Sequence, residues 1–375
     1  MAPLAADFDS LGSAPSASAL QIFYATTNHT LALARLQACT LSALDLRGTA
    51  LAWDQPSYNA LSPHASLADA LGAWDAPPPW HPHPKMCKVL AAHRQEECRR
   101  AARGTGDADG APLSAFGPAG RRLGWMRLYA LARLGARLPG QPLVLADADV
   151  AWLRSDAPRL LLETCAAGFD AAFVRDAPSW SHVGLASGGL VLSCGTTAAA
   201  RLWRDLAASA SLDVGDEGVA AAAKKADAFS SRLLELYAGN AAGLDAFVGA
   251  RAGAYYPPPS DQTMLNYELA LAHATGRARV AVLNSSVFVA GATLPAARGH
   301  EAPEAEAERL APALRHAALL HAGGVEHKAR MLRAALDGAE AGVRCHSAKR
   351  GGCPTSALRQ CARHLRLVHG KSGLD

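Results

Sequence analysis

The residues best placed to do chemistry are two aspartates, Asp147 and Asp149, in the stretch P-L-V-L-A-D-A-D-V-A-W-L-R-S-D from Pro142 to Asp156. The apolar run before them, Leu143 to Ala146, has the length and β-branched content of a buried parallel strand. Strand side chains alternate faces, so this reading sends Asp147 and Asp149 to the same side. Paired carboxylates at the carboxyl end of a buried strand repel unless a cation or a proton joins them. That strand end is also where open α/β sheets bind ligands. The pair therefore predicts a divalent metal site of hard oxygen ligands, with room for a phosphate.

A second group of candidates lies late in the chain. Ala317 to Leu320 reads as a strand ending on His321, followed by Gly323-Gly324 and a helix from Val325 to Leu336 that carries Lys328. A strand-end histidine, a glycine turn and a helix N-terminus with a lysine suit a metal and an anion. Between these groups, Ser187-Gly188-Gly189 precedes the apolar strand Leu190 to Ser193. Glycines there permit either a tight turn or close approach of another chain or a ligand. Ser260 caps a helix opened by Asp261-Gln262, where an acidic residue is favoured by the helix dipole in any case. A cation bridging two phosphate oxygens makes a nucleoside diphosphate a better leaving group, which suits sugar transfer from a nucleotide sugar.

The elements that must position these residues follow from the rest of the sequence. Residues 1–19 are rich in Ala, Ser and Pro and are expected to lack a packed structure. Leu20 to Thr26 reads as a strand, followed by a polar turn and a helix through Leu44, the opening unit of a nucleotide-binding α/β fold. Thr26 and Thr27 either contact a base or ribose or simply close that unit. Neither G-x-G-x-x-G nor a P-loop is present. From about residue 52 to 120 prolines and a Gly/Asp-rich loop break the pattern, predicting an insertion with one polar helix near Val89 to Arg103. A helix from Arg122 to Gly135 then carries Arg127, facing solvent by default and a pyrophosphate in the sharper reading. Further expected elements are a helix from Arg159 to Cys165, a strand from Phe169 to Val174, and a helix from Thr196 to Ala208. Strands are also expected at Arg279 to Leu283 and Ser286 to Val289. A second insertion spans about 209–256, and Glu301 to Glu308 is an acidic surface segment.

Composition narrows the function. Of 375 residues, 50% are hydrophobic and 19% charged, which predicts a globular chain long enough for one large α/β domain or two smaller ones. A net charge of +4 without a basic stripe argues against nucleic acid. The eight cysteines include no C-x-x-C pair, so a zinc knuckle is not expected; Cys345, Cys353 and Cys361 suggest a tethered tail over 341–375. Sequons at Asn28 and Asn284 are compatible with a secretory lumen. No transmembrane run or membrane anchor is read in this sequence.

The segments L-V-L-A-D-A-D-V-A-W-L, S-G-G-L-V-L-S, S-D-Q-T-M-L-N and H-A-G-G-V-E-H-K-A-R-M-L, in this order from about Gln21 to Leu336, resemble the nucleotide-diphospho-sugar transferase domain of plant and algal glycosyltransferase family 77. That family includes extensin arabinosyltransferases and rhamnogalacturonan II xylosyltransferases. The resemblance implies a GT-A fold: a Rossmann-like mixed sheet flanked by helices, one domain over 20–340 with insertions. It also implies a retaining, Mn²⁺-dependent (or Mg²⁺-dependent) transfer from a UDP-sugar to a cell-wall glycoprotein or polysaccharide, in the Golgi lumen. Carried onto this chain, Asp147, Ala148 and Asp149 form the D-x-D motif, with His321 as a further metal ligand. Thr26 and Thr27 border the uridine, Arg127 and Lys328 serve the diphosphate, and Ser187, Gly188 and Gly189 line the donor sugar. Asp261 and Gln262 lie by the anomeric carbon, Asp261 as charge stabiliser or transient nucleophile. Ala186 and Gly323 stand where the family carries amide side chains, which leaves a degenerate binding subunit as an alternative. A haloacid-dehalogenase-type phosphohydrolase also uses D-x-D, but needs a later acidic pair that this sequence lacks at a strand end.

Overall fold

Strand-forming apolar runs alternate with helices along the chain. The computed structural model describes residues 20–27, 30–62, 65–67, 118–175, 186–209, 276–291, 294 and 303–322, with single positions within 265–272, 328–336 and 358–361. In chain order these form β1 (Gln21–Thr26), α1 (Leu31–Ala43), β2 (Thr49–Ala52), α2 (Gln55–Leu61) and β3 (Ala65–Leu67). Next come α3 (Pro118–Arg137), β4 (Leu143–Asp147), β5 (Val150–Trp152), α4 (Ala157–Ala166) and β6 (Ala171–Arg175). β7 (Ala186–Ser193), α5 (Thr197–Ser209), β8 (Val280–Val282), β9 (Phe288–Ala290), α6 (Pro303–Leu314) and β10 (Leu319–His321) complete the series.

Seven strands make one sheet in the order β3-β2-β1-β4-β7-β6-β8. β1, β2, β3 and β4 run parallel, β7 is antiparallel to both β4 and β6, and β6 is parallel to β8. A second sheet, β5-β10-β9, pairs β5 antiparallel and β9 parallel to β10. This is the mixed α/β sheet flanked by helices that the sequence predicts.

Alternation along β4 divides the core. Val144 and Ala146 pack with Tyr24, Leu190 and Leu192 against the α1 side and the small sheet. Leu143 and Leu145 pack with Phe23, Phe173 and Val191 against α3 and α5. Both faces of the sheet are thus covered, which is why β4 reads as a continuous apolar run.

The order of elements matches the sequence reading closely, with two differences. Regular structure continues past residue 52: α2 starts behind an Asp54 cap, whose carboxylate accepts from Ser57 N at 2.8 Å, and β3 adds an edge strand at Ala65–Leu67. Proline at the first turn of α2 is compatible with helix, so it did not mark a break there. The expected helix near Val89 and the second insertion over 210–256 lie outside the described residues. The three residues placed before the strand, Ser187 to Gly189, are instead inside β7.

The tail is tethered as expected. Cys361 is disulfide-bonded to Cys39 on α1, closing a loop of 322 residues, and Cys165 is bonded to Cys194. On the chain-entropy account a loop that long is worth roughly 5–6 kcal/mol. Asn284 lies in an exposed turn between β8 and β9, its side-chain oxygen accepting from Ser286 N at 3.0 Å and Ser286 Oγ at 2.8 Å. No helix among the described residues is long and apolar enough to cross a membrane.

Tyr24 in β1 is fully buried, and its hydroxyl has no hydrogen-bond partner among the described residues. Burial pushes its pKa from 10.0 up to about 12. Between those values the unfolded chain loses a proton that the folded chain keeps. Stability from this group is therefore complete below pH 10 and falls, by about 2–3 kcal/mol, as pH rises to 12. Tyr24→Phe is expected to raise stability at pH 8 by about 1 kcal/mol, because an unsatisfied hydroxyl is removed, and to weaken the alkaline loss. Urea midpoints at pH 8 and pH 11 measure both; a less stable variant at pH 8 would show that the hydroxyl has a partner.

Candidate functional site

β4 ends at Asp147, and Ala148 and Asp149 form a turn leading directly into β5. Strand alternation therefore does not carry through the pair as the sequence reading supposed. Asp147 keeps the orientation of Leu143 and Leu145, toward the face covered by α3, and there it is ion-paired with Arg127. Asp149 lies in the turn, where Lys328 Nζ donates to its Oδ2 at 2.6 Å. The helical residues around Lys328, Met331, Leu332, Ala335 and Leu336, belong to the half of the core that includes α1 and the small sheet. Each carboxylate is thus held by its own cation.

The remaining oxygens converge. β10 pairs with β5 so that His321 lies opposite Val150, and Ala322 N donates to Asp149 O at 2.9 Å. This pairing carries His321 to the aspartates across nearly half the chain. His321 Nε2 is 3.4 Å from Asp149 Oδ1 and 3.8 Å from Asp147 Oδ2. Its other ring nitrogen, Nδ1, is 3.1 Å from Ser187 Oγ, which also accepts from Gly189 N at 3.2 Å. A neutral imidazole with Nδ1–H donating to Ser187 would present the Nε2 lone pair to a cation held beside the carboxylates.

Gly189 has its own reason to be glycine. A Cβ built on it would overlap Cε1 and Nε2 of the His321 ring. The sequence reading of close approach was right in kind, although the approaching group is this chain's own imidazole. β7 runs antiparallel to β4, with Leu190 opposite Ala146, so its amino end reaches the edge where Asp147 emerges.

The electrostatics follow from burial and pairing. Burial alone would raise the Asp149 pKa, but Lys328 and His321 outweigh it and hold this carboxyl well below the usual range. Burial opposes charge on His321, yet Asp149 and Asp147 raise its pKa above the ordinary value. Lys328 is likewise raised, burial being outweighed by Asp149. Asp149 Oδ1 is buried and receives no hydrogen bond among the described residues.

That orphaned oxygen, with Asp147 and His321, makes a donor set whose ligand atoms all lie within 4.8 Å of one another. Two carboxylates and an imidazole suit a divalent cation such as Mn²⁺ or Mg²⁺, and an acceptor atom lacking a donor fits a cation.

Thr26 and Thr27 sit at the carboxyl end of β1, whose Ala25 pairs with Asp147. Both are buried and tied to Thr30, whose Oγ1 accepts from Thr27 N at 3.0 Å and lies 3.2 Å from Thr26 Oγ1. Ala148 is buried between the two aspartates. Gly188 lies in β7 beside Ser187 and Gly189. Asp261, Gln262 and Gly323 lie outside the described residues.

Four of these residues have partners within the chain itself. Arg127 does not face solvent: it is mostly buried and holds Asp147, a pairing visible only once α3 packs on the sheet. Lys328 contacts Asp149, so its first partner is a carboxylate. Ser187 and Gly189 act on His321, one as hydrogen-bond partner and one as space.

An α/β chain with a two-aspartate and histidine cluster at the end of its central strand is the class defined so far. No family model matches the chain, and no curated protein does. Among solved structures it is similar to the WbbM bifunctional glycosyltransferase in its apo form, at 12% identity and TM-score 0.40, over 85% of this chain and 50% of that one. It is also similar to the apo form of mouse xyloside xylosyltransferase 1, at 9% identity and TM-score 0.40, over 81% of this chain and 98% of that one. The chain thus spans half the length of the first of these proteins.

Proposed function

We propose that this chain is a GT-A glycosyltransferase domain that moves a sugar from a UDP-sugar to a cell-wall glycoprotein or polysaccharide, with retention and with Mn²⁺ or Mg²⁺, in the Golgi lumen. The observation that carries this reading is the convergence of Asp147, Asp149 and His321 at the carboxyl end of β4, two of the three buried and one carboxylate oxygen left without a donor. A cation bound there would stabilise charge developing on the departing diphosphate.

The chain's own residues divide the remaining work. Ser187 orients His321, and Gly189 leaves space for its ring. Arg127 and Lys328 are within reach of an anion brought to the carboxylates and supply positive charge to it. Thr26 and Thr27, next to the aspartates across the β1–β4 pairing, border the nucleoside. Asp261 and Gln262 remain the proposed groups beside the anomeric carbon, from the resemblance in sequence.

Calorimetric titration with UDP, with and without Mn²⁺, tests the reading. Metal-dependent UDP binding is expected, followed by hydrolysis of at least one of UDP-arabinofuranose, UDP-xylose, UDP-galactose and UDP-glucose. UDP binding indifferent to the metal would sink it. Binding without turnover of any donor would favour a degenerate binding subunit, the reading that Ala186 in β7 keeps open.

A further inference from the structure

Two fixed positive charges, Arg127 and Lys328, stand against two carboxylates. The formal charges of these four groups cancel. A divalent cation added to this set meets two like charges close to its ligands, and a diphosphate added alone meets two carboxylates. Either ligand by itself leaves the site out of balance. Together they restore it, because the diphosphate offers oxygens to the two protein cations while the metal takes their places beside the aspartates.

Burial makes this balance matter. Asp149 is 4% exposed and His321 5%, so water screens little there. The two cations differ in freedom: the Arg127 side chain is 12% exposed and that of Lys328 is 41% exposed. Lys328 can move toward solvent or an incoming anion without first leaving a closed core. Among the described residues its hydrogen-bond acceptor is Asp149 Oδ2, on the same carboxylate whose other oxygen lacks a donor.

We infer that Lys328 is an internal counter-cation of Asp149: it competes with the metal in the empty site and passes to the diphosphate on loading, so that metal and nucleotide bind with strong positive coupling. This inference rests on the function proposed above. By linkage, whatever factor UDP adds to metal affinity, the metal adds to UDP affinity. The lysine therefore has effects of opposite sign on the two ligands. It weakens the metal alone and strengthens the diphosphate.

Mn²⁺ binding, followed by the electron paramagnetic resonance of the free ion, separates these effects. The full chain is titrated without nucleotide and with saturating UDP, as wild type, Lys328→Met and Lys328→Arg. Wild type is expected to bind Mn²⁺ at least about tenfold more tightly with UDP present. Lys328→Met is expected to bind Mn²⁺ alone about tenfold more tightly than wild type and to lose most of the gain from UDP. Lys328→Arg, which keeps the charge, is expected to stay near wild type in the absence of UDP. Should the Met variant not fold, as judged by near-ultraviolet circular dichroism, Lys328→Gln removes the same charge and takes its place. A charge-free variant that binds Mn²⁺ alone no more tightly than wild type overturns the inference. If UDP has no effect on any chain while the charge-free variant still gains metal affinity, the competition at Asp149 stands and the nucleotide reading falls.

Discussion

Asp149→Asn is expected to abolish Mn²⁺-dependent UDP binding, lowering UDP affinity in the presence of the metal at least about a hundredfold, or roughly 2.7 kcal/mol. The reason is a division of labour between two oxygens of one carboxylate. Oδ2 is occupied by Lys328 at 2.6 Å, and Oδ1 points at the metal locus with no donor of its own. Asparagine keeps the shape and removes the charge that makes a hard cation bind. It also leaves His321 without its principal anion, so the imidazole is less firmly aimed. The fold survives the change, because Lys328 is part-exposed and can reach water once its partner is neutral. Calorimetry with and without Mn²⁺, beside a thermal unfolding curve, distinguishes loss of the site from loss of the fold. Unaltered metal-dependent affinity would place the metal elsewhere.

Gly189→Ala is expected to cause a comparable loss without removing any ligand. The added methyl falls on the His321 ring, which has nowhere to retreat: its side chain is 7% exposed, Ser187 holds Nδ1, and the aspartates face Nε2. Since Gly189 is inside β7, its backbone is restrained by the neighbouring strands and cannot move aside. Either His321 leaves its position or the strand edge distorts. Overpacking of this kind costs typically 1–3 kcal/mol of stability. Mn²⁺ affinity is expected to fall about tenfold or more. A useful comparison is Gly195→Ala, at φ +71 and with a built Cβ only 2.6 Å from Gln141 C, which has a backbone reason to be glycine and no contact with the site. It is expected to lower the unfolding midpoint while metal affinity in the folded fraction is kept. Equal Mn²⁺ affinity in Gly189→Ala and wild type would mean that His321 is not a ligand.

Much of this architecture could be read along the chain because it depends on local pattern. Covered sheet faces demand continuous apolar strands, and Leu143 to Ala146, Leu190 to Ser193 and Ala317 to Leu320 were legible for that reason. The same holds for the helices at Leu31–Ala43 and Ala157–Ala166. The residues that went unrecognised in their roles are those whose partner is remote. An arginine within an apolar helix carries no mark of the carboxylate it will meet, so Arg127 read as solvent-facing by default. Three small residues before an apolar run carry no mark of strand or turn, since glycine is compatible with both; pairing of Ala186 with Arg175 on β6 extends β7 back through Ser187 to Gly189.

By itself the sequence determined the kinds of group available and the elements that carry them: two aspartates at a strand end, a histidine ending a late strand, and a lysine on the helix after it. Residue type and short-range periodicity suffice for that, because hydrogen bonding within an element and burial of one stripe or face are local demands. Only the tertiary structure decided which groups meet. Pairing of β5 with β10 put His321 beside Asp149, packing of α3 brought Arg127 to Asp147, and the turn at Ala148 sent the two carboxylates to different cations while leaving one oxygen of each facing the same imidazole. Such meetings depend on register and packing between segments far apart in the chain, and short-range periodicity carries no record of them.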